Sequence, residues 1–218
     1  MASESHSFSS PAPQALTALA VACFIFFGLL TGKIGQDSRL AVACWLFGGF
    51  ICQFVAGIME LKDKNHTGGN VMLLFSSFFM LVTALISMAE FICHVNEIHF
   101  AMASDPYGWL VLAIALTLFT PAYLVGSPVF FVALLFADAT LWFLVALKFQ
   151  AVLPPPTAAL GAAYCVLIVG LLGLYLATAN MLNTAFQQTI LPVGKPLVVV
   201  GKNGALGAHA RLSEETVS

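Results

Sequence analysis

The sequence predicts an all-α membrane protein with six transmembrane helices. Two observations carry that expectation. Of its 218 residues, 60% are hydrophobic and only 8% charged, and the mean hydropathy is +0.96. A soluble domain carries about a quarter charged residues and has too little interior to hide this much apolar surface. The apolar residues also fall into six long continuous runs. A β-barrel would show short alternating segments instead.

Residues 1–10 contain five serines and no Lys or Arg, so they read as a short disordered polar tail. A secretory signal needs a positive n-region, and the first apolar run is therefore expected to stay as a membrane helix. That run covers residues 13–32, with Ser10 as its N-cap and Pro11 and Pro13 in its first turn, where proline is tolerated. The second run covers 40–59 and ends at Glu60. A charged, Gly-rich turn follows, and Asn70 is placed to cap the third run, 71–93.

The longest connection, 94–107, carries His94, Glu97, His99 and Asp105. Residues 109–125 form the fourth run, interrupted by Pro121. Gly126, Ser127 and Pro128 make a tight turn into the fifth, 129–147, which holds Asp138 near its middle. Three prolines, Pro154 to Pro156, precede the sixth, 158–179. A helical extension is expected after Asn180, then polar coil after Pro192. The domain reading is a tail over 1–10, a membrane domain over 11–194 and a polar tail over 195–218.

Six spans put both termini on one side. That side collects Lys62, Lys64, Lys195, Lys202 and Arg211, against Lys33, Arg39 and Lys148 on the other, which favours cytoplasmic termini. Cys23, Cys44, Cys52, Cys93 and Cys165 lie in or beside apolar runs without a C-x-x-C pair. They read as small apolar side chains, not as disulfides or metal ligands.

The second run holds the most informative face. At 100° per residue, Gly49, Gln53, Gly57 and Glu60 fall within an arc of about 80°. In lipid, a small and polar face must point at protein or at a water-filled path. Gln53 can serve as a hydrogen bond between helices or as a donor to a substrate. Glu60, at the helix end, is either solvated or part of a path. Asp138 costs about 2.5–3.5 kcal/mol in mid-span even on the lenient insertion scale. It reads equally as a proton-coupling carboxyl and as a polar tie between helices.

Other chemistry has weaker support. Glu90 and His94 share a helix face and His99 lies five residues on, but the set lacks a ligand signature such as H-E-x-x-H. Solvated loop residues are the simpler reading, and neither a metal nor another cofactor is expected. No nucleophile elbow, phosphate-binding loop or dinucleotide fingerprint is present, so an enzyme is not expected. Nothing in the charge pattern suggests nucleic acid. No basic residue lies inside the apolar runs. A small anion would then depend on the N–H groups of helix N-termini, at Pro11–Pro13 and at Gly69-Asn70.

Three ordered motifs resemble the acetate uptake transporter family, which includes bacterial succinate–acetate permeases and fungal acetate carriers. Ser10, Pro11, Ala12, Pro13, Gln14, Ala15 and Leu16 stand where that family has Asn-Pro-Ala-Pro-Leu-Gly-Leu. Gly48, Gly49, Gln53, Gly57, Glu60, Gly69 and Asn70 follow the order of its second-helix motif. Leu182, Asn183, Phe186, Thr189 and the run Leu191, Pro192, Val193, Gly194 resemble its C-terminal motif. The resemblance runs from Pro11 to Gly194.

It implies a six-helix protomer, a homo-hexameric ring and a path through each protomer. It also implies passage of acetate and related small monocarboxylates, with proton linkage or channel-like flow. Pro11, Pro13, Gln53, Glu60 and Asn70 would line or brace the path. The family's hydrophobic constriction of Phe, Tyr and Leu falls by alignment at Leu19, Met80 and close to Asp138, a less aromatic and more polar set. The plasma membrane is the expected location, with an organellar membrane as the alternative. The rival functional readings are a non-transporting membrane sensor or organiser with the same fold, and an exporter of ammonium or a neutral solute.

Overall fold

The computed structural model describes residues 10–200 and 206–208, with side chains over 10–199. The expected N-terminal tail therefore lies almost wholly outside the described residues, as does most of the C-terminal one. Between them stand six helices long and apolar enough to cross a membrane.

The first is α1, Ala12–Leu30, entered through Pro11. A 3₁₀ turn, Gln36–Ser38, leads into α2, Arg39–Lys62. The third span is compound: α3, His66–Leu74, a π-helical stretch, Phe75–Leu81, and α4, Val82–Val95. The fourth is also broken, as Pro121 led one to expect. Its first part, α5, covers Asp105–Phe119, and a 3₁₀ segment, Thr120–Val125, completes it. Proline lacks an N–H and clashes with the preceding turn, which ends the regular ladder there. The fifth span is α6, Pro128–Phe149, and the sixth is α7, Pro155–Phe186. At 32 residues, α7 reaches about 48 Å and outruns the roughly 30 Å apolar core of a bilayer.

α1 is flanked by α7 and α2, α7 packs on α6, α6 on α5, and α2 on the compound third span. Trp109 of α5 meets the opposite side edge-on, through Phe26 and Phe79. Phe26 stacks on Phe79 at 4.2 Å between ring centroids. These rings belong to one apolar core that takes residues from every span. The outer faces are equally apolar, with Trp45, Val111 and Leu118 among the exposed large side chains. A chain greasy inside and outside is an integral, multi-pass membrane protein.

The two ends of the bundle are tied differently. At one end, Arg39 pairs with Glu90 at 3.0 Å and Lys148 with Asp105 at 2.7 Å. At the other, hydrogen bonds dominate, and the chain after α7 folds back. Asn183 Nδ2 donates to Leu191 O, and its Oδ1 accepts from the N–H groups of Ile190 and Leu191. Tyr175 Oη donates to Pro192 O and Ser127 Oγ to Val193 O. Val193 reaches the apolar cluster of Leu16, Leu176 and Ala177. Gly194 has φ +77° and lies against the Pro128 ring, so a side chain there would be strained and obstructed. Past it, β1, Val198–Val200, pairs antiparallel with β2, Leu206–Ala208, where polar coil was expected.

Candidate substrate path

The small-and-polar face of α2 is real, and it points inward. Gln53, Gly57 and Glu60 are all buried. A Cβ on Gly57 would meet Leu73 Cγ at 3.0 Å and Gly69 O at 3.2 Å, so the glycine lets α2 and α3 touch backbone to backbone. At Gly49 the neighbours are Met80 Sδ and the Ala18 carbonyl. Met80 is fully buried there.

α1, α2, α3, α6 and α7 converge around an internal cavity of ≈ 30 Å³. Leu19 lines it from α1, Phe75 from the π-helical stretch, and Leu134 and Ala137 from α6. Gln53 is the one polar side chain in the lining. Its Nε2 donates to Ala15 O at 3.4 Å, whereas its Oε1 is buried without a hydrogen-bond partner. The amide orientation follows from the Ala15 carbonyl, which can only accept. The side chain therefore offers the cavity an unmatched acceptor beside the second hydrogen of Nε2, which keeps the donor role the sequence suggested open to it.

The remaining expected residues sit elsewhere. Glu60 is not solvated: it is 6% exposed, and its carboxyl accepts from Ser10 Oγ at 3.3 Å and from Asn65 Nδ2 at 2.6 Å. It ties the start of α1 to the start of the third span. Asn65, not Asn70, is the cap of that span, its Oδ1 accepting from Gly68 N at 3.0 Å. Asn70 lies one turn inside α3, donates to His66 O and lines an open groove with Phe119 and Tyr123 rather than the cavity.

At the start of α1, Pro11 and Pro13 have no N–H to offer. The Ala12 N–H goes to Ser10 Oγ, and those of Gln14 and Ala15 go to Pro11 O. The turn expected to receive an anion has its donors in use. Asp138 is likewise apart from Leu19 and Met80. It faces α5, where Thr120 Oγ1 donates to it at 2.7 Å and Thr117 Oγ1 lies at 3.4 Å. Its neighbour Ala137 takes the cavity position. Glu90 is held by Arg39, and no group of three His, Cys, Asp or Glu converges among the described residues.

These features define a polytopic helical protein with a narrow, mostly apolar interior and a single amide within it. The comparisons agree with that class. A model of the GPR1/FUN34/yaaH family matches residues 1–195, and the chain belongs to that family, as the motif resemblance led one to expect. A protein of Yarrowia lipolytica described as "Glyoxylate pathway regulator" is 28% identical over 200 residues, covering 89% of this chain and 72% of that one. The fold resembles that in "Structure of the bacterial acetate channel SatP", with a TM-score of 0.74 at 20% identity, over 86% of this chain and 99% of the other.

Proposed function

We propose that the protein carries acetate and related small monocarboxylates across a membrane, through each protomer of a homo-hexamer, with proton linkage. The observation that carries this reading is the central cavity, set among five of the six spans and too narrow for anything larger than a few heavy atoms. Family membership and the fold shared with a bacterial acetate channel support the same cargo class. The cavity takes its width from Leu19, Phe75, Leu134 and Ala137, with Met80 packed behind Gly49. Gln53 supplies its polarity, Glu60 braces the entry end, and Pro11 and Pro13 fix the direction in which α1 starts.

A ring assembly is supported by the outer surface. Asp138 is half-buried beside the exposed Thr117, and Trp142 Nε1 donates to that hydroxyl. A polar cluster on the outside of a span is costly against lipid and is relieved by a neighbouring protomer. Cytoplasmic termini follow from the charge balance, and the plasma membrane is the location proposed. The deciding measurement is uptake of labelled acetate by proteoliposomes, corrected for protein-free vesicles. Uptake that saturates and is competed by propionate is expected; protein-dependent uptake that never rises above the lipid background would defeat the transport reading.

A further inference from the structure

We propose that Gln53 selects the undissociated acid, so that the species crossing the central cavity is the neutral carboxylic acid and not its anion. The inference rests on the transport reading above and deepens it. A buried amide whose Nε2 gives one hydrogen to Ala15 presents the cavity with an acceptor, Oε1, that has no partner, beside its second N–H. A carboxylate is purely an acceptor: it can take the second N–H, but it leaves Oε1 unmatched and sets two acceptors side by side in an apolar cavity. The O–H of the protonated acid supplies the missing donor. An unmet buried acceptor is costly to leave, so the site favours a ligand that brings a proton.

The surroundings point the same way. None of the side chains lining the cavity titrates. The nearest carboxyl on α2, Glu60, is engaged by Ser10 and Asn65, and the one on α6, Asp138, is engaged by Thr117 and Thr120 of the fourth span. Arg39 and Lys148 are paired at one end of the bundle. Among the described residues no cation lines the cavity to compensate an anion, and an uncompensated carboxylate in an apolar site is far costlier than its acid. Size adds a limit. A cavity of ≈ 30 Å³ admits about two water-sized spheres at rest, which suits a two- or three-carbon acid and disfavours a dicarboxylate.

Proton linkage then needs no proton-carrying side chain. The acid enters whole, its O–H passing from water to Gln53 Oε1 and back to water. Dissociation on the far side releases one proton and one carboxylate. The net step moves no charge.

The test uses the full chain in proteoliposomes with labelled acetate, corrected for protein-free vesicles. At fixed total acetate, raising the pH by one unit above the acid's own range should lower the protein-dependent flux about tenfold, because the neutral fraction falls tenfold. Imposing a potassium-diffusion potential should leave that flux unchanged. Flux that follows the anion concentration, or that moves with the potential, overturns the proposal while leaving acetate transport standing. Gln53→Met keeps the length and removes the acceptor, and about a tenfold loss of flux is expected in protein that elutes as wild type does. Undiminished flux in that variant would mean the amide holds only a structural water, and the proposal would fall. The pH and potential arms need no variant. A wild-type protein with no flux of its own would refute the transport reading and this inference with it.

Discussion

Asn65 Nδ2 donates to Glu60 Oε2 at 2.6 Å while Asn65 Oδ1 caps the following helix through Gly68 N. One asparagine thus joins the end of α2 to the start of α3, and the Ser10 hydroxyl brings α1 to the same carboxyl. Glu60→Ala leaves both donors without a partner and is expected to cost about 1–3 kcal/mol. Asn65→Ala removes a cap and a partner, for about 1–2 kcal/mol. Because they share one bond, the double variant should cost less than the sum. Thermal denaturation in detergent measures all three. Strict additivity would show that the two residues act independently.

The glycines separate into two kinds. A Cβ on Gly69 would lie 2.9 Å from Gly57 O, a backbone atom that cannot swing away, and would also press on Leu61. Gly69→Ala should therefore force α2 and α3 apart at a cost of about 1–3 kcal/mol. Nothing lies within 4 Å of a Cβ on Gly48. Gly48→Ala is expected to be neutral, or stabilising by up to about 1 kcal/mol, because alanine suits a helix interior better. Melting temperatures of the two variants should move in different directions or differ clearly in size.

The bundle and the inward face of α2 were legible because both depend on strong local rules. Continuous apolar runs specify spans, and the spacing of Gly49, Gln53, Gly57 and Glu60 specifies a face. Where that face led was not legible. Which end of the Gln53 amide is left unmatched is decided by Ala15 O, 38 residues away in sequence. The cap fell at Asn65 instead of Asn70 because the helix begins one turn early, at His66. Asp138 and Ala137 are adjacent in sequence yet face different partners, and alignment without the helix phase could not separate them. The π-helical stretch from Phe75 breaks the 3.6-residue period that any sequence reading relies on.

Asn183 holds the returning chain by three hydrogen bonds, to Leu191 O and from the N–H groups of Ile190 and Leu191. Asn183→Ala should release residues 187–193 locally, by about 1–3 kcal/mol, while the spans remain packed. Limited proteolysis should then cut within that segment in the variant and not in the wild type. Equal resistance in both would show that Tyr175 and Ser127, which bind the next two carbonyls, are sufficient.

Ala137 and Asp138 make the sharpest comparison, since one residue separates a cavity wall from an outward tie. Ala137→Leu adds three carbons to a lining that encloses only ≈ 30 Å³. Acetate flux is expected to fall at least about tenfold, with an overpacking cost of roughly 1–3 kcal/mol. Asp138→Asn keeps one acceptor oxygen for Thr120 and places an NH2 that can donate to Thr117 Oγ1, and flux should stay within about twofold of wild type. Interhelical hydrogen bonds in membranes average about 0.6 kcal/mol, so its stability should fall by less than about 2 kcal/mol. Flux and its pH dependence in proteoliposomes, with melting in detergent, measure both variants. If Asp138→Asn abolishes the pH dependence while Ala137→Leu conducts normally, the path runs along the α5–α6 face and not through the cavity beside Gln53.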